Sequence, residues 1–146
     1  MNLKQALKKK NLLLAEIKQE LNKVATYNSI EVGNRRPYSA KEAFDKYMNL
    51  TNELINLKTA IHIANAPVYN KIFRLSELKN MANAIKSIDC TDGKEPNRFH
   101  MSGESRIMNA EISIVTRDTM VKDIEKEIND IQDELDYFNA TTEVNL

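Results

Sequence analysis

The sequence has no tryptophan, one cysteine, three glycines and three prolines. A lone cysteine, Cys90, excludes an internal disulfide framework and points to a reducing compartment. Few glycines and prolines leave long stretches without a helix breaker. No excess of either charge exists, because 21 Lys+Arg balance 21 Asp+Glu. That argues against general nucleic-acid binding, which draws on a basic surplus. The longest aliphatic run is Leu12, Leu13 and Leu14, far short of a membrane span. The lysine-rich start has no apolar core region or small-residue cleavage site, so a secretory signal is not expected and a cytoplasmic protein is. What is present is 42% hydrophobic and 29% charged residues over 146 positions, enough for a core and one helical domain spanning 1–146.

Apolar residues recur with helical period. Leu3, Leu7, Lys10, Leu14, Ile17, Leu21 and Val24 alternate spacings of four and three, which predicts a heptad-patterned helix over about 2–27. Leu13 widens that stripe. Gly33, Asn34 and Pro37 then mark a turn. Ser39 and Glu42 have the spacing of a capping box and open a second helix, over about 39–65, with a seam of Ala43, Tyr47, Leu50, Leu54, Leu57, Ile61 and Ala64. Pro67 disfavours helical backbone at Ala66 and suits the first position of a third helix, over about 67–88. Its apolar positions are Ile72, Leu75, Leu78, Ala82 and Ile85. Pattern alone leaves open whether the chain kinks or reverses at Pro67.

Residues 89–105 carry Gly93, Pro96 and Gly103 and read as a loop. Met108, Ala110, Ile112 and Ile114 alternate with polar residues, predicting a strand over about 107–115. Its partner is expected from 28–38, from 98–101 or from another subunit, since a lone strand is not stable. A last helix is expected over about 118–138, capped by Asp118, with Val121, Ile124, Ile128, Ile131, Leu135 and Phe138 as its seam. The fold class is therefore mainly α: three to four long helices in an antiparallel bundle or coiled coil, with a minor β-ribbon.

Charge is unevenly shared. The first helix has six lysines (4, 8, 9, 10, 18, 23) against two glutamates (16, 20), a net +4. The last has eight acids (118, 123, 125, 127, 130, 133, 134, 136) against two lysines (122, 126), a net −6. Each repels its own copy and attracts the other. The expectation is that first and last helices pair, within one chain or between chains. Leu12, Leu13, Ile55, Ile63, Phe73 and Val115 lie off the seams and need cover, which a homo-oligomer supplies.

Four stretches carry a family resemblance. They are the opening Met1-Asn2-Leu3-Lys4-Gln5-Ala6-Leu7, the segment from Leu54-Ile55-Asn56 to Ala64-Asn65, the segment from Ser105 to Thr119, and the closing Phe138-Asn139-Ala140-Thr141-Thr142-Glu143-Val144. Together they resemble the septicolysin-like family of small helical proteins found in bacteria and their mobile elements. Ala140 stands where the family's aromatic is expected. The resemblance implies a helical, non-catalytic fold.

No catalytic signature is evident. Cys90, His62 and His100 lack the paired spacings of a zinc site, and no phosphate-binding glycine loop occurs. Cys90 sits between Asp89 and Asp92 without the adjacent base of an activated nucleophile, and reads as an ordinary loop thiol. No metal or cofactor is expected. One constellation suits a small anionic, nucleotide-like ligand: Arg35, Arg36 and Tyr38 at the turn, Lys71 and Arg74 in the third helix, and Arg98, His100 and Arg106 around the long loop. The bland alternative is that these cations pair with nearby acids. The leading expectation is a non-enzymatic, homo-oligomeric interaction protein assembled through its basic first and acidic last helices. The alternative is an oligomeric, phage-encoded sponge for such a ligand.

Overall fold

A computed structural model describes residues 1–95 and 106–146. The elements are α1 (Leu3–Tyr27), α2 (Ala40–Asn65), a 3₁₀ turn (Ala66–Val68), α3 (Tyr69–Lys86), β1 (Gly93–Glu95), β2 (Arg106–Met108) and α4 (Ile114–Thr141). The chain is mainly α with a two-stranded ribbon, as the periodicity predicts. It divides into two compact units, Met1–Val68 with Asp136–Leu146, and Tyr69–Leu135.

In the first unit α1 and α2 form an antiparallel hairpin. Asn2 caps α1: its side chain accepts from Gln5 N at 2.9 Å, and its own N–H donates to the Gln5 side chain at 3.0 Å. Ser39 caps α2 by accepting from Glu42 N at 3.2 Å. Leu3, Ala6, Leu13, Leu54, Leu57, Ile61 and Val144 form the core, with Leu7, Ile17, Leu50 and Phe138 packed against it.

The buried row of α1 corrects the expected seam. Leu3 keeps its predicted place and Leu7 and Ile17 pack against the core, but Leu13 and Glu20 are buried one residue before the predicted Leu14 and Leu21, which are exposed, and Ala6 joins them. Three consecutive leucines make the phase ambiguous in sequence. Glu20 resolves it: its carboxylate accepts from Lys23 and Lys46 Nζ, each at 3.1 Å, so a charge at an inward position is neutralised across the hairpin. The Lys23 and Lys46 hydrogen bonds hold the Glu20 carboxyl below its ordinary value of 4.5.

The end of the chain closes this unit. Leu3 N donates to Thr142 O at 2.8 Å and Val144 N to Met1 O at 2.9 Å, making a bridge between Asn2 and Glu143. The Met1 ammonium lies 3.1 Å from the Glu143 carboxylate. The closing segment that carries part of the family resemblance is thus a structural clasp, with Val144 in the core.

At Ala66 the backbone is right-handed helical (φ −48°, ψ −41°), and the 3₁₀ turn joins α2 to α3 without a loop. The residue before Pro67 therefore stays helical, against its usual preference.

In the second unit α3 and the larger part of α4 run antiparallel and are bridged by ion pairs; Leu75, Leu78 and Ala82 are buried on α3, and Val121, Ile131 and Leu135 on α4. Lys71 pairs with Glu134, Arg74 with Glu127, and Lys86 with Glu125 at 2.6 Å. The ribbon pairs Gly93 with Met108, Lys94 with Ile107 and Glu95 with Arg106. Gly93 has φ +89°, open to glycine at little cost.

The strand and the start of the last helix differ from expectation. The strand stops at Met108 instead of about 115, its partner is Gly93–Glu95, and α4 starts at Ile114 instead of 118. Ser113, not Asp118, caps α4, accepting from Thr116 N at 3.1 Å while Arg117 N donates to Ser113 O at 2.9 Å. That cap carries the helix through Ile114 and Val115, whose β-propensity is weak against it.

Two outcomes follow. Glu20's lowered carboxyl contributes stability above its ordinary value and loses that contribution as pH falls through the lowered one. Urea midpoints across acid pH should therefore decline less in Glu20→Gln than in the parent, and at neutral pH the variant should have the lower midpoint. Val144→Ala should cost about 2 kcal/mol in urea unfolding, from two lost buried carbons.

Candidate functional site

The turn between α1 and α2 is built around Arg36. Its Nε donates to Tyr27 O at 2.8 Å and its Nη2 to Asn28 O at 3.0 Å. Helix carbonyls at a C-terminus lack intrahelical donors and carry partial negative charge, so a guanidinium satisfies both demands. Tyr38 lies 5.7 Å from the Tyr27 ring at 50°, and Lys23 Nζ sits 4.9 Å from the Tyr38 ring centroid. Arg36, Pro37, Tyr38 and Ser39 line an open concavity of about 480 Å³. A second, of about 420 Å³, is lined by Lys18, Gln19, Asn22, Lys23, Tyr27 and Tyr38.

Of the expected ligand-binding residues, Arg36 and Tyr38 come together here, and Arg35 is exposed beside them. Two guanidinium nitrogens of Arg36 are already committed to backbone. Lys71 and Arg74 lie one turn apart on α3 in the other unit, each paired to an α4 glutamate. The hydrogen bond and charge of Glu127 raise the Arg74 pKa. Arg106 lies in β2 and has interactions of its own. Arg98 and His100 lie outside the described residues.

Cys90 is buried, with its thiol 3.6 Å from Ile88 O. Arg117 Nη1 donates to the same carbonyl at 2.9 Å. Thr91 donates to the Asp89 carboxylate from its hydroxyl and from its backbone N–H, in that order of effect lowering the Asp89 pKa. Among the described residues no group of three His, Cys, Asp or Glu is placed to hold a metal, and no helix is long and apolar enough to cross a membrane.

A feature that periodicity missed lies on the hairpin. Leu14, Leu21, Phe44, Met48 and Ile55 are 43–55% exposed. At about 100° per residue, Leu14 and Leu21 stand roughly 90° from the buried row of α1, and Phe44, Met48 and Ile55 roughly 120° from that of α2. Because the helices run antiparallel, both rotations lead to the same side of the hairpin. Lys10, Lys18 and Lys58 fall on that side and make no ion pair with the described residues. The opposite side carries Lys9–Glu53 at 2.6 Å and the Lys23–Glu20–Lys46 cluster. Glu16 and Glu42 turn that way too. The sequence signal was Glu20: seven residues after Leu13, it shares that residue's face and displaces Leu14 and Leu21 outward.

A scan of the chain against family models finds no match. Comparisons with curated proteins and with solved structures find none either. The septicolysin-like resemblance thus rests on the residues quoted for it.

Removing the guanidinium as Arg36→Ala should lower stability by about 1 kcal/mol, the usual worth of a helix cap. Urea unfolding followed by circular dichroism measures it.

Proposed function

We propose that this protein is a non-enzymatic helical interaction protein that self-assembles, the basic α1 of one copy lying against the acidic α4 of another. The observation that carries this reading is the supply of unspent opposite charge. Lys4 and Lys8 on the outer side of α1, and Asp123, Asp130 and Asp133 on α4, make no ion pair with the described residues of their own chain. The inner acids of α4, by contrast, are matched by α3 cations. Such flanking charges select partners and orientation more than they add stability. Like helices repel, so the contact is head-to-tail, between different surfaces of two copies.

A second reading is an oligomer that binds a small, nucleotide-like anion. It draws on the concavity beside Tyr38, with Arg35 close by and the first turn of α2 at its wall. Arg36's commitment to α1 places it second.

Native mass spectrometry and sedimentation test the first reading. The expected native mass is a multiple of 16.8 kDa. It should fall toward the monomer as salt rises from about 0.05 to 0.5 M, where screening shortens severalfold in range. Lys4→Glu with Lys8→Glu should weaken the assembly, and adding Asp123→Lys with Asp130→Lys should restore it. A monomer under all conditions sinks the proposal. Extra mass retained per subunit in the native spectrum moves the second reading to the front.

A further inference from the structure

The exposed apolar side of the α1–α2 hairpin has a chemistry that self-assembly by charge does not use. We propose that it is a docking surface for an amphipathic helix of another protein, one whose apolar seam is bordered by aspartate and glutamate. This goes beyond the assembly reading and does not rest on it, since Lys4 and Lys8 point elsewhere on α1.

The strip is two parallel rows. Leu14 and Leu21 are seven residues apart on α1, as are Met48 and Ile55 on α2, with Phe44 extending the second row by one turn. Seven-residue spacing keeps a row in line with a supercoiling helix, whereas a straight helix laid on a plane drifts off such a row. Two rows on antiparallel helices leave a furrow, and an apolar helix face fills a furrow of this kind with residues at i, i+3, i+4 and i+7. Tyr47 and Thr51 of α2 lie toward its floor. The Thr51 hydroxyl donates to Tyr47 O at 2.8 Å, so it needs no partner from an incoming helix.

Charge chooses the occupant. Lys10, Lys18 and Lys58 frame the strip, while the hairpin's glutamates turn to the opposite side. A second copy offering the same face brings cations against cations. A second copy offering α4 has no free apolar seam, because Val121, Ile131 and Leu135 are already buried. An acidic amphipathic helix satisfies both the leucine rows and the lysines, in the manner of coiled-coil strands paired by opposite flanking charge.

The test uses the full chain and two synthetic peptides of three heptads, both with leucine at the seam, one flanked by glutamate and the other by lysine. Fluorescence anisotropy reads binding. The acidic peptide is expected to bind at least about tenfold more tightly than the basic one, the preference that flanking charge confers. Leu14→Asp with Ile55→Asp should lose at least about tenfold in affinity for the acidic peptide. The milder Leu14→Ala with Ile55→Ala, checked for wild-type helicity, should lose in the same direction. Lys10→Glu with Lys18→Glu should reverse the preference between peptides. The proposal is overturned if neither peptide binds or if both bind alike. It is also overturned if Leu14→Asp with Ile55→Asp turns an oligomer into monomers, which would give the strip to a second copy. Retention on vesicles of anionic lipid with no peptide binding would assign it to a membrane surface instead. Loss of salt-sensitive assembly alone touches only the earlier reading.

Discussion

The carboxylate of Glu20, held between Lys23 and Lys46, sets the rotational phase of α1, and most of what is distinctive about the first unit follows from that phase. An unpaired charge at a buried position is costly, so the inward placement of Glu20 is tolerable only with both ammonium groups in reach. With Glu20 inward, Ala6 and Leu13 are inward too. The same rotation turns Leu14 and Leu21 out toward Phe44, Met48 and Ile55. One polar interaction on the hairpin thereby creates an apolar strip on its other side.

The ends and turns of the hairpin are closed by groups that look functional in isolation. Arg36 has the side chain of an anion binder and spends it on the last carbonyls of α1. The closing Thr142, Glu143 and Val144 look like a family signature and act as a clasp on Met1 to Leu3. A helix terminus presents the same partial charge to a side chain as to a ligand, so cations near such ends are first claimed by backbone.

Electrostatics is organised by sides rather than by totals. The net charge of zero conceals an α1 with lysines to spare and an α4 whose acids are only partly used by α3. Surplus charge on separate helices and an apolar strip framed by one sign are the surfaces on which both proposed contacts rest. Surface pairs of this kind contribute little stability but discriminate strongly among partners.

Periodicity alone determined the helical class, the extents of α1 and α2 to within a residue, the Ser39 cap, and the seams of α3 and α4. Those features depend on neighbours three and four residues away, which a linear pattern records. The phase of α1 depended instead on Lys46, 26 positions from Glu20, and only tertiary contact could choose among Leu12, Leu13 and Leu14. The start of α4 turned on Ser113 outcompeting the alternation through Ile112 and Ile114, two local signals whose balance the pattern did not weigh. The candidate ligand site was legible as residue types but not as geometry: Arg36 became a cap, and Lys71 and Arg74 became ion-pair partners. The sequence by itself determined which segments are helices and what charge each carries; the tertiary structure decided which face of each helix is spent on its neighbour and which stays exposed, because that choice is made by contacts between residues far apart in the chain.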